Sequence, residues 1–215
     1  TVVAVPPDND VDVFAQDLGF IAIVENGALA GWNVAVGGGM GMTHGDLDTF
    51  PRTADLLGSC RTEEAIAVAE AVVTVQRDSC NREQRKRARL KYTIEDRGLA
   101  PFRREVEKRL GFMLGEPRAF HFERTGDHLG WRKGPDGRWN LGLSVETGRI
   151  SDIPGRPLRT ALREIAEMHR GQMICTANQN VIIANATTAS KRKIDGILEA
   201  HGISVHIEFQ LRQLR

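Results

Sequence analysis

The sequence predicts an α+β protein in two parts, residues 1–150 and residues 151–215. Three observations carry that reading. Phe20–Val24 and Leu29–Val36 are apolar runs joined through Asn26-Gly27, a dipeptide that suits the type I′ turn of an antiparallel hairpin. Helical patterns with clear stops follow, ended by Gly98 and Gly111. After Ser151-Asp152-Ile153-Pro154-Gly155, which reads as a linker, the order becomes α-β-β-α-β. That order is part of a ferredoxin-like split β-α-β unit, short of a strand and a helix, so residues 151–215 read as half a domain.

The first part begins with the β-branched run Val2–Val5, closed by Pro6-Pro7. Asp8-Asn9-Asp10-Val11-Asp12 is acidic, and after two prolines it reads as a turn and helix cap more readily than as a metal site. The second strand of the hairpin runs into Gly37-Gly38-Gly39-Met40-Gly41-Met42-Thr43-His44-Gly45. Consecutive glycines let a backbone take positive φ and approach a ligand closely. This loop is therefore the first candidate for holding a flat or anionic cofactor.

Phe50 to Leu57 is expected to form a short helix stopped by Gly58. Thr62-Glu63-Glu64 starts a longer one, with Ile66, Ala69, Val72 and Val73 as its buried stripe and an end near Asp78. Asn81 then caps a helix over residues 82–97. On it Arg82, Arg85, Lys86 and Arg89 share one face, with Arg87 and Lys91 adding charge and Glu83 the only acid among them. Such a face is either solvated or turned to an anion. Pro101 starts another helix, with Phe102, Val106 and Leu110 inward. Trp139–Val145 alternates as a half-buried strand.

In the second part, residues 157–169 and 189–201 read as helices, and Met173–Ala177, Val181–Ala184 and Ile203–Leu211 as strands. Thr187 or Thr188 caps the second helix. Asn178-Gln179-Asn180 places three amides between two apolar runs. Buried amides need partners, so these bond backbone or point at a polar ligand, and the ligand is the preferred reading.

Composition limits the function classes. With 215 residues, 41% hydrophobic, 27% charged and a formal net charge of +1, the chain is no polyelectrolyte binder, and no nucleic-acid partner is expected. No apolar run approaches the roughly 20 residues of a membrane helix, so no membrane partner is expected. Cys60, Cys80 and Cys175 are odd in number and match no metal spacing, which fits free thiols in a reducing, cytoplasmic setting. His44, His121 and His128 are scattered. The glycine run is not a dinucleotide fingerprint, because no helix follows it at once. The chain opens inside a strand-like run and reads as part of a longer protein.

Seven segments in order carry a family resemblance: residues 5–12, 37–45, 49–54, 67–78, 88–92, 155–160 and 176–180. Among them are Gly-Gly-Gly-Met-Gly-Met-Thr-His-Gly, Gly-Arg-Pro-Leu-Arg-Thr and Thr-Ala-Asn-Gln-Asn. Together they resemble the middle of the haemoprotein of the siroheme and [4Fe-4S] sulfite and nitrite reductase family. The resemblance implies a mixed-sheet siroheme-contacting domain over 1–150 and half of a ferredoxin-like domain over 151–215. It implies six-electron reduction of sulfite to sulfide, with electrons supplied by a flavoprotein or a ferredoxin.

By the same resemblance, Arg89 falls where the family places a lysine facing substrate or siroheme carboxylates, and Gln179, beside Asn178, matches a siroheme contact. The loop Gly38, Gly39, Met40, Gly41, Met42, Thr43 and His44 passes close to the macrocycle, with Arg52 and Lys91 as further candidates. The cluster cysteines are expected beyond Arg215, and two active-site lysines before Thr1. A ferredoxin-dependent nitrite reductase, and a non-catalytic piece that packs against a partner, are the other readings.

Overall fold

The computed structural model describes residues 1–205, which separate into two compact units, Thr1–Gly126 and Asp127–Arg215. The expected break at residue 150 is thus displaced, and residues 127–150 belong to the second unit.

In the first unit, β1 (Val2–Ala4) is followed by the two-residue β2 (Asp8–Asn9), then by β3 (Leu18–Glu25), β4 (Ala28–Val36) and β5 (Asp55–Cys60). The main sheet has the order β1-β3-β4-β5. Its β1–β3 pair is parallel and the others antiparallel, so the sheet is mixed as expected. The β3–β4 hairpin turns at Asn26 and Gly27, both at positive φ (53° and 77°). Asn9 Oδ1 accepts the Val13 N–H at 2.9 Å, which bears out the turn reading of the acidic run.

Three helices cover the sheet: α1 (Ala65–Ser79), α2 (Leu90–Arg97) and α3 (Leu99–Leu110). Val34, Val36 and Leu57 pack with Val68, Val72, Val75, Ile94, Phe102 and Val106 to form the core. Each such side chain contributes about 1.5–3 kcal/mol on burial. The strand β6 (Arg124–Thr125) pairs in parallel with β2.

Three expectations fail here. Residues 50–57 form no helix. Asp55–Cys60 is strand, because the open edge of β4 supplies backbone partners from Trp32 to Val36. The stripe of α1 is rotated: Val68, Ala71, Val72 and Val75 are buried, while Ile66 and Val73 are exposed. A helix apolar on most faces does not announce which face packs. Residues 82–89 are not one helix. Asn81 Oδ1 accepts the N–H groups of Glu83 and Gln84 at 3.1 and 3.0 Å, a local turn that competes with helix. A short 3-10 turn at Arg85–Arg87 follows, and Arg89 is extended. Arg82, Arg85, Lys86 and Arg89 therefore share no helix face.

The second unit contains β7 (Gly130–Lys133), β8 (Trp139–Leu143), the small hairpin β9 (Asp152–Ile153) and β10 (Arg156–Pro157), α4 (Leu158–Met168), β11 (Gln172–Cys175), β12 (Val181–Ala186) and α5 (Thr188–Ala200). Its sheet is antiparallel, in the order β11-β12-β8-β7. With β12 between them, β8 and β11 run parallel, connected through α4. This is a split β-α-β unit, and β8 is the strand that residues 151–215 lack on their own. Leu141, Leu143, Leu162, Ile165, Ile183, Ile194 and Leu198 form the core. Thr187 caps α5, its side chain accepting from Ser190 N at 3.1 Å. Ala166, expected inward, is exposed. Most of the expected strand 203–211 lies outside the described residues, and residues 203–205 are not strand.

Candidate functional site

The glycine loop has an anchored half and a presented half. Gly37–Gly39 is buried, whereas Met40–Gly45 is exposed. Gly37 and Gly38 donate to Asp17 O and Gln16 O at 2.9 and 3.0 Å. Gly39 exchanges two backbone bonds with Arg52, at 2.8 and 3.0 Å. A Cβ on Gly38 would overlap Phe14 O and stand 2.7 Å from Gln16 O, so backbone packing excludes a side chain here. A Cβ on Gly39 would instead meet the Arg89 guanidinium, at 2.8–2.9 Å.

Lys91 is fully buried. Its Nζ donates to Gly39 O, Gly41 O and Phe50 O at 3.0, 2.6 and 2.6 Å, which uses all three ammonium donors. It also lies 4.8 Å from the Tyr92 ring centroid. Arg52 is similarly engaged. It donates to Gly37 O at 3.1 Å, to Asp55 at 2.5 Å and to Glu95 at 3.0 Å. Both candidates fix the inner loop: Lys91 has no donor left for an anion, and Arg52, which also donates to Thr53 O at 3.1 Å, spends most of its donors on the fold.

Arg89 differs. It pairs with Asp17 at 2.7 Å and lies 3.5 Å from Gly38 O, and its side chain keeps 44% of its surface exposed. The outer loop is closed by buried Thr49, which accepts from Thr43 N at 2.8 Å and donates to Asp46 O at 2.9 Å. Lys86, donating to Asp46 at 3.0 Å, holds that carboxyl below its usual range. Met40 and Met42 stand out from the closed loop, 49% and 57% exposed, and His44 is exposed beside them. The surface is thus an apolar pair of thioethers on bare backbone, with a guanidinium behind it. This chemistry fits the face and the acidic rim of a flat, carboxylate-bearing ring.

In the second unit, the amides of residues 178–180 turn inward more than the sequence suggests. Asp127 accepts from Asn178 Nδ2 at 3.0 Å, from Asn180 Nδ2 at 2.8 Å and from the Thr176 hydroxyl. Asn180 Oδ1 accepts Val145 N at 2.9 Å. Sequence reasoning missed Asp127, whose only signal is that three amides need a partner. Gln179 is exposed, at φ 64°, and its side-chain carbonyl lies against Gly148.

Among the described residues no group of three metal-ligating side chains converges. Cys60 is buried in β5, Cys80 follows α1 and Cys175 is exposed on β11. Burial, with help from Glu64 and Glu63, pushes the Cys60 thiol up to about 11, so it carries no thiolate at neutral pH. The described residues therefore do not fit an iron–sulfur cluster.

A glycine loop on a mixed sheet, followed by a split β-α-β unit, defines a known class. Residues 1–114 match the family described as Nitrite and sulphite reductase 4Fe-4S domain, and residues 132–201 match the Nitrite/Sulfite reductase ferredoxin-like half domain. The chain belongs to the nitrite and sulphite reductase family. It is 58% identical over 207 residues to the sulfite reductase [NADPH] hemoprotein beta-component of Methylobacterium sp. (strain 4-46), covering 95% of this chain and 34% of that protein. It is 53% identical over 202 residues to the protein of the same name from Geobacillus kaustophilus, covering 94% and 35%. Among solved structures, the NirA protein of Mycobacterium tuberculosis matches with a TM-score of 0.77 and 26% identity, over 92% of this chain and 35% of that one. The chain thus spans about a third of the length of the curated relatives it matches. Among the described residues no helix is long and apolar enough to cross a membrane.

Proposed function

We propose that this chain is the siroheme-facing middle of a sulfite reductase haemoprotein, acting in the cytoplasm and receiving electrons from a flavoprotein or ferredoxin partner. The observation that carries the reading is the presented half of the glycine loop: Met40 and Met42 on exposed backbone, with half-exposed Arg89 behind. The names of the relatives, all haemoprotein components of sulfite reductase, support it.

When bound, siroheme would supply the redox chemistry for reducing sulfite to sulfide, and the Gly38–His44 loop with Arg89 would hold it. The chain's own residues do the rest. Gly38 and Gly39 let the inner loop pack against Phe14, Gln16 and Arg89 where a side chain would clash, which fixes the exposed outer loop that a flat ring approaches. Met40 and Met42 cover an apolar face and exclude water, which strengthens every charge interaction beneath them. Arg89 holds a positive charge toward the ring's carboxylates and the anionic substrate. Its guanidinium stays charged throughout, so it steadies anions and does not deliver protons. Lys91 and Arg52 act one step back, by fixing the loop. On the second unit taken by itself, Gln179 presents an exposed amide to a polar ligand, and Asn178 supports that turn through Asp127. A [4Fe-4S] cluster, if the whole protein carries one, draws its ligands from elsewhere than the described residues.

In the full-length protein, Arg89→Ala should weaken sulfite and cyanide affinity about tenfold while siroheme absorbance is retained. Unchanged affinity would remove Arg89 from the site, and a full-length protein that stays colourless after reconstitution with siroheme would overturn the reading. Nitrite as the anion is the second reading, supported by a family description that covers both reductases. The ratio of turnover on the two anions decides between them.

A further inference from the structure

The Gly-Arg-Pro-Leu-Arg-Thr segment of the second unit is not explained by the loop. Two of its polar residues are structural. Asp152 accepts from Thr160 N at 2.9 Å and from Arg159 at 3.0 Å, which ties the β9–β10 hairpin to the start of α4. Arg156 is different. It sits on β10 with only 12% of its side chain exposed, yet its guanidinium is under-satisfied. Nη2 donates to Ser144 O at 3.1 Å, and buried Nε has no partner. Nη1 approaches Glu146 Oε2 only to 3.7 Å, too far for a hydrogen bond. A buried guanidinium short of acceptors is costly.

Arg156 lines a cavity of about 180 Å³ with Glu146, Thr147, Arg149 and Ser151. Exposed Arg149 adds a second cation and Ser151 a hydroxyl. Glu146, whose side chain is 52% exposed, stands at the mouth as a carboxylate that nears Arg156 without closing on it. The turn that carries it, Glu146–Gly148, has its glycine packed against Gln179.

We infer that Arg156 and Arg149 form a carboxylate site, in which a ligand carboxylate displaces Glu146 and accepts from Arg156 Nη1, the donor that faces it. This deepens the proposed function and rests on it, since the ligand class is a carboxylate of a tetrapyrrole rim. The fixed fork lets Arg156 keep Ser144 O on Nη2 while Nη1 bonds the ligand, which a lysine point charge does not reproduce.

The test uses the chain labelled with nitrogen-15 and with carbon-13 at the methionine methyls, titrated separately with uroporphyrin, an octacarboxylate ring, and with sulfite. The Arg156 Nε–H resonance should move with uroporphyrin. Arg156→Gln should lower uroporphyrin affinity at least tenfold, and Arg156→Lys should recover only part of it. Glu146→Ala, which leaves the arginine in place, should tighten binding. If Arg156→Gln impairs folding, the Glu146→Ala titration and the wild-type resonance still decide. An Arg156 signal that stays still with uroporphyrin, or moves with sulfite alone, overturns the carboxylate site. Continued movement of the Met40 and Met42 methyl signals in that case would leave the proposed function standing without it.

Discussion

The glycine loop and the Asn178–Asn180 turn look alike as sequence: each interrupts apolar strands with residues that cannot pack, and each invites a ligand. Their structures divide them. The loop is anchored from beneath by Lys91 and Arg52, and the anchoring turns Met40–Gly45 outward. The turn has a single buried-side organiser, Asp127, which draws Asn178 and Asn180 inward and leaves Gln179 outside. In both, most of the polar groups satisfy the fold, and what is left to a ligand is a small remainder. The lesson is that a polar residue in a candidate site has to be judged by the acceptors the fold has already given it.

The comparison breaks first at Lys91. Lys91→Met removes three hydrogen bonds and takes the donor from Gly41 O and Phe50 O, while Gly39 O keeps the Arg52 N–H, so it should cost about 3 kcal/mol, with the loss appearing as a lower urea midpoint and fast amide exchange in residues 37–52. A cost like that of Arg89→Ala, under about 1 kcal/mol for an exposed pair, would mean that the loop holds itself. Asp127→Ala tests the other region. It should cost about 2 kcal/mol and raise exchange in residues 176–180 while leaving the loop protected. If the loop also loosens, the two regions are not the independent units described. The smallest and sharpest test separates adjacent glycines. Gly38→Ala drives a methyl into fixed backbone and should cost about 2 kcal/mol, whereas Gly39→Ala meets only the flexible end of Arg89 and should cost less than about 1 kcal/mol in the same denaturation measurement.

Much of the fold is legible in the residues. Asn26-Gly27 announces the hairpin, Gly111 the stop of α3 at φ 73°, and Thr187 the cap of α5. These are local devices, in which a side chain or a missing Cβ acts on its own few neighbours. The glycine loop is legible for the same reason. The site is less so. Lys91 and Arg89 are both basic, two positions apart, and no local rule tells the buried staple from the half-exposed cation. Arg156 carries no local mark at all.

The sequence by itself determined the backbone's permissions: where it turns, where helices stop, and where no side chain stands between chain and ligand. It also carried the family motifs. Tertiary structure decided which charges are buried and which stay exposed, that Asp55–Cys60 is strand and not helix, and that β8 belongs with residues 151–200. The physical reason is the same in each case. Trp32 finds Cys60, Leu141 finds Ile183 and Lys91 finds Gly39 across tens of residues, and such partners leave no trace in local spacing. The opposite fates of Lys91 and Arg89 follow from how many carbonyls the folded chain brings within reach of each.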